Sequence, residues 1–140
     1  MTLARPAAAK EMRGLFDTAW ASAGPVKYDN VAVPGTFPPA SGPWARLVIR
    51  HGDRARAAIG GAAGNRRFRS TGTLIVQIFQ DPGAGLSGAT DLGTIVRDAF
   101  EGVTSVGGVE FREVSVNEIG EDGDHFQTNV TAFFEYDEIR

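Results

Sequence analysis

Two histidines, one run of carboxylates and one glycine-rich stretch are the residues whose types could support catalysis or ligand chemistry. None is arranged to do so. His51 ends an apolar run beside Gly52-Asp53, and His125 opens another just after an acidic run. A catalytic or metal-bound imidazole needs a second group to orient it within hydrogen-bond reach. No such partner set can be read around either residue, so both are taken as surface or loop histidines. Glu121, Asp122 and Asp124 lack the ligand register of an EF-hand loop and the bidentate Glu at its far end, which argues against calcium. Gly60-Gly-Ala-Ala-Gly64-Asn-Arg66 resembles a phosphate-cradling loop only superficially, because it has no Gly-Lys-Ser/Thr ending and no helix after it. There is no G-x-S-x-G elbow. The absence of cysteine excludes disulfides, thiolate metal sites and cysteine nucleophiles. The expectation is a non-enzyme with no catalytic residue, no cofactor and no metal.

What remains is charge. Arg50, Arg54, Arg56, Arg66, Arg67 and Arg69 crowd into or beside residues 53–70, a stretch otherwise built of Gly and Ala. It is too long for a tight turn, and loops beyond about 12–15 residues are usually functional or disordered. It is therefore read as an arm that is mobile in the free chain and ordered against a partner. Phe68, set among the arginines, could stack on a base, which makes nucleic acid a rival partner. Against that, the net charge is −3 and no recognised nucleic-acid-binding motif is present. The charge is also split along the chain, with residues 1–80 at +7 and residues 81–140 at −10. If the halves map to opposite sides of the fold, each molecule complements a copy of itself head to tail. The candidate contact residues, to a neighbouring subunit or another protein, are Arg50, Arg54, Arg56, Arg66, Arg67, Phe68, Arg69, Glu121, Asp122, Asp124 and Phe133.

The elements that must position these residues follow from periodicity. Ala8, Met12, Leu15, Phe16, Ala19 and Trp20 recur at spacings of 3 and 4, an amphipathic helix that Gly24-Pro25 ends. Residues 26–42, rich in proline, give β-prone pieces at 26–28 and 31–33, read as a weak edge strand and an extended connector. In residues 44–50, Ala45, Leu47 and Ile49 alternate with Arg46, Val48 and Arg50. In residues 71–79, Leu74, Val76 and Ile78 share one face and Ile75 and Phe79 the other, which implies cover on both sides. Ser87 is a plausible N-cap for a second helix burying Ala89, Leu92, Val96, Ala99 and Phe100, with Gly102 and Gly107-Gly108 marking its end. Two strands close the chain. The first, 109–119, switches apolar parity and so predicts a bulge near Arg112-Glu113. Residues 121–124 form the turn into the second, which carries Phe126, Val130, Ala132, Phe134 and Tyr136 on one face. The predicted fold is a single α+β domain, residues 1–140. It has a mostly antiparallel sheet of four to five strands, two helices packed on one face and a long basic hairpin loop. At this length it can bury a core without staples, and its apolar runs are too short to span a bilayer.

Several pieces in order resemble a known family. They are Phe16-Asp-Thr-Ala-Trp20, Tyr28-Asp-Asn-Val31, Gly42-Pro-Trp-Ala-Arg-Leu-Val-Ile49, the Arg-rich stretch leading into Thr71-Gly-Thr-Leu-Ile-Val-Gln-Ile-Phe79, Asp98-Ala-Phe-Glu-Gly102, and Phe126-Gln-Thr-Asn-Val-Thr-Ala-Phe-Phe-Glu-Tyr136. Together they resemble the tail-terminator proteins of long-tailed bacteriophages, including relatives in prophages and gene-transfer particles. The resemblance covers nearly the whole chain and rests on the order of elements. It implies a structural virion protein that caps the head-proximal end of the tail tube as a homohexameric ring, ends tube polymerisation and offers a head-joining surface. The implied partners are other copies of the chain, the tail tube protein and a head-completion or connector protein. DNA passes through without specific binding, and no membrane is involved. The implied location is the neck region of the virion tail, assembled in the bacterial host cytoplasm. Another ring-forming neck or tail-completion protein and a small nucleic-acid-binding module are the alternatives.

Overall fold

A computed structural model describes residues 3–21, 23–28, 39, 42–57, 61–83 and 86–140, with backbone only for 86–90 and 122. In chain order the elements are α1 (Arg5–Trp20), β1 (Val26–Tyr28), β2 (Trp44–Arg56), β3 (Arg67–Gln80), α2 (Leu86–Phe100), β4 (Glu110–Asp122) and β5 (His125–Ile139). One five-stranded sheet has the order β1-β2-β3-β5-β4. All neighbours are antiparallel except β1, which lies parallel to β2. The fold is α+β, and α2 carries the chain from β3 past the position of β5 to the far edge. Among the described residues no helix is long and apolar enough to cross a membrane.

The alternation read from sequence sets the two faces. Ala45 and Leu47, Leu74, Val76 and Ile78, and Val130, Ala132, Phe134 and Tyr136 form a buried layer on one face. Ala8, Met12, Phe16 and Trp20 of α1 and Val96 and Phe100 of α2 pack into the same cluster. Both helices therefore cover one face, because each presents a stripe with the 3.6-residue period to a surface whose inward positions repeat every second residue. The Glu11 carboxylate accepts the Gly107 N–H at 2.6 Å and the Ser105 hydroxyl at 3.3 Å, which ties α1 to the connection after α2.

Several boundaries differ from expectation. The 53–70 arm is mostly strand: Arg54↔Ser70, Ala55↔Arg69 and Arg56↔Phe68 continue the β2–β3 ladder past a bulge between His51 and Arg54. The connection shrinks to residues 57–66, of which 58–60 lie outside the described residues. Weak burial did not stop the ladder, because β5 runs alongside β3 to Ile139 and supplies its second set of hydrogen bonds. The acidic turn is also tighter. β4 reaches Asp122 and β5 resumes at His125, leaving Gly123-Asp124, with Gly123 at φ 60°. Helix α2 begins at Leu86, so Ser87 lies inside its first turn instead of capping it. The parity switch in β4 is a register shift between Arg112 and Ser115, with Glu113 at φ 51°. The β-prone piece 31–33 and the Ala89 side chain lie outside the described residues.

Gly72 is the tightest point of the central strand. A Cβ there would lie 2.3 Å from the Arg50 carbonyl oxygen and 2.4 Å from the Phe134 ring. Gly72→Ala is expected to destabilise the fold by about 1–3 kcal/mol through overpacking. Gly14→Ala, on a helix where an added Cβ meets nothing within 4 Å, is expected to stabilise by about 0.5–1 kcal/mol. Thermal or urea unfolding of the two variants beside the parent checks both signs.

Candidate assembly surfaces

Nine of the eleven candidate contact residues collect at the two ends of the sheet, while Arg50 and Phe133 both pair with Thr73 near its middle. Strand β3, 14 residues long, spans roughly 45 Å at about 3.3 Å per residue. At one end lies the β2–β3 hairpin with Arg54, Arg56, Arg66, Arg67, Phe68 and Arg69. At the other lies the β4–β5 turn with Glu121, Asp122 and Asp124, since Asp122 pairs with His125 and Gln80 with Phe126.

At the basic end the C-terminal half of β5 neutralises much of the charge. Asp137 accepts from Arg67 Nε at 2.7 Å and from Arg69 Nε at 2.9 Å. Arg54 pairs with Glu138 at 2.8 Å, and its guanidinium lies 5.2 Å from the centre of the Phe68 ring. Arg112 on β4 pairs with Glu135 at 2.6 Å. Arg66 is held by backbone bonds in both directions with Arg140. Arg50 lies opposite Thr73 on the face away from the helices, and Arg56 ends β2 opposite Phe68. The two halves of the chain therefore do not separate as blocks, because carboxylates of the acidic half lie directly beside the arginines of the basic half. The guanidiniums hold the Asp137 carboxyl below its ordinary value, Arg69 most of all through its hydrogen bond.

Among the described residues the acidic end has no such partners. Residues 113–139 contain no Lys or Arg, and among the described residues Glu118, Glu121 and Asp124 form no ion pair. On the face away from the helices, Trp44 stacks on Phe79 with centroids 4.1 Å apart. His125 meets both rings edge-on, so its position is fixed by aromatic packing. Phe133 lies on the same face with 47% of its surface exposed.

His51 is not a surface histidine. It is half-buried within β2 on the helix face, edge-on to Phe134 and Tyr136. Burial, and secondarily the charge of Arg5, lowers its pKa. The Tyr136 hydroxyl is buried with Ser70 directly opposite but without hydrogen-bond geometry, and burial raises its pKa. Sequence reasoning missed a cavity of about 280 Å³ beside His51, between Arg5 and Arg13 of α1 and the β1–β2 edge. The available signal was Arg5 and Arg13 two turns apart on one side of α1. Among the described residues no group of three or more His, Asp or Glu is placed to hold a metal.

No family model matches the chain, and no curated protein matches it. Solved structures do match. One aligns over 91% of this chain and 94% of its own, with a TM-score of 0.60 and 20% identity. Similarity at that identity is a likeness of fold.

Asp137 anchors the basic end, and its side chain keeps only 10% of its surface exposed. Asp137→Asn is expected to lower stability at neutral pH by about 1 kcal/mol, because both guanidiniums stay half in water, or roughly 3–5 °C in Tm. The folded pKa lies below the ordinary 3.8, so the contribution is present above that value and is lost as pH falls through the folded pKa. The gap between parent and variant should therefore close in acid, as unfolding followed from pH 7 to pH 2 will show.

Proposed function

We propose that this chain is a structural ring-former of a phage-type tail, a tail terminator that caps the head-proximal end of the tube as a homohexamer. The observation that carries the reading is polarity. An end where Glu118, Glu121 and Asp124 form no ion pair among the described residues and an end rich in arginine are held roughly 45 Å apart on one sheet. A surface matched to a different surface of its own copy makes heterologous contacts, which close into a ring when the rotation between copies allows it. The resemblance to tail terminators supplies the identity of that ring. Its other partners are then the tube protein and a head-completion or connector protein, and DNA passes through without specific contacts.

The nucleic-acid alternative draws less support from the side chains. Phe68, the residue suited to stacking on a base, is covered by Arg54. Arg67 and Arg69, suited to phosphates, are engaged by Asp137. Contacts between exposed charges are screened beyond a Debye length of about 8 Å at physiological salt, so assembly should be stronger at low salt and strongest on the tube.

The test is assembly itself. Electron microscopy of the protein with purified tube ends is expected to show one closed ring per tube, and its addition to polymerising tube protein is expected to arrest elongation. A protein that stays monomeric both free and with tubes, and leaves elongation unchanged, would overturn the reading.

A further inference from the structure

The cavity between α1 and β2 combines three features that the fold itself does not explain. Arg5 and Arg13 line it, and among the described residues neither forms an ion pair. Arg5 stands in the first turn of α1, where a cation opposes the positive end of the helix dipole, so it is not there for the helix. Among the described residues His51 Nε2 is buried without a hydrogen-bond partner, as the Tyr136 hydroxyl is, whereas most buried polar atoms have one. The floor is apolar, from Leu47 and Ile49. Tyr28 cannot serve a guest, because its hydroxyl donates to Asp17 and its pKa is pushed up to about 12, by burial first and then by that carboxylate. Asp17 is correspondingly engaged.

A volume of about 280 Å³ falls just under the ~300–1,000 Å³ of sites for drug-sized ligands and has room for one or two side chains. The chain carries a guest of that shape. The β4–β5 turn is only two residues wide, Gly123-Asp124, and so projects narrowly. Its Glu121 and Asp124 are exposed and form no ion pair among the described residues. We propose that this cavity is a socket for the acidic β4–β5 turn of a second copy of the chain, with a carboxylate seated between Arg5 and Arg13 and against His51. The socket rests on the head-to-tail reading above and assigns its contact to α1 and β2 instead of the β2–β3 hairpin. In the socket His51 faces Arg5 and Arg13 from α1, Tyr28 from β1 and Tyr136 from β5, and a docked carboxylate would be the one anion against it.

The experiment titrates the isotope-labelled full chain with a cyclised peptide of residues 118–126 and follows it by NMR. Shifts are expected at His51 and at the amides of Ala9 and Leu47, with the His51 titration moving upward. Affinity should fall at least tenfold in Arg5→Glu and Arg13→Glu, and equally when Gln and Asn replace the peptide's acids. A peptide with Lys at 121 and 124 should bind Arg13→Glu in preference to the parent. Both reversals are on exposed helix positions, and unfolding curves will verify that the variants fold. Peptide shifts centred on Arg54 and Arg66, no shifts at all, or shifts that inorganic phosphate reproduces while the peptide does not, would each overturn the socket. Rings that form unimpaired from Arg5→Glu/Arg13→Glu would reject the socket and leave the ring reading standing. Peptide binding as expected without any ring would do the reverse.

Discussion

The unbroken pairing of β3 with β5 is the constraint on which the rest depends. It runs in one register from Arg67↔Ile139 to Gln80↔Phe126, with none of the slips that interrupt β2 and β4 against their neighbours. Because side chains alternate with a period of two, a register kept over that length keeps Leu74, Val76 and Ile78 of β3 and Val130, Ala132, Phe134 and Tyr136 of β5 together on the helix face. The bulges in β2 and β4 then bend the outer strands around a straight centre. The same pairing fixes the molecule's length, since it ends at the arginine hairpin on one side and at the acidic turn on the other.

Density of arginine in the sequence proves a poor guide to which arginines are available. The hairpin looks like a binding arm, yet Asp137 and Glu138 bring carboxylates within hydrogen-bond distance of Arg67, Arg69 and Arg54. Those pairs keep the hairpin as an extension of the sheet where apolar burial is weak. The less conspicuous Arg5 and Arg13, separated in sequence from the cluster, have no carboxylate to engage them among the described residues. Charges satisfied within the fold set its shape, and charges left over set its complementarity to other molecules. Counting by sequence segment merges the two.

What was legible in the sequence was what depends on local period. The 3–4 spacing of Ala8, Met12, Phe16 and Trp20 gave α1, the alternation of Leu74, Val76 and Ile78 gave the core of β3, and the parity switch near Arg112-Glu113 gave the β4 bulge. What was not legible depends on partners distant in the chain. Residues 53–56 and 67–70 have too few apolar side chains to read as strand, and become strand because β5 lies alongside. The parallel docking of β1 on β2 carries no local signal. Nor did the sequence place His51 beside Arg5, since 46 positions separate them and only the packing of α1 on β2 joins them.

The central claim is that copies meet head to tail through unlike surfaces, and complementation measures it most directly. One variant would be reversed at the acidic end (Glu121→Lys and Asp124→Lys) and another at the cations that form no ion pair among the described residues (Arg5→Glu, Arg13→Glu and Arg66→Glu). Each would be followed by sedimentation velocity alone and in equimolar mixture, under conditions where the parent assembles. Unlike-surface contact predicts that each variant alone sediments as a monomer and that the mixture regains assembly, because each supplies the surface the other needs. A mixture that stays monomeric, or variants that each assemble alone as the parent does, would contradict it.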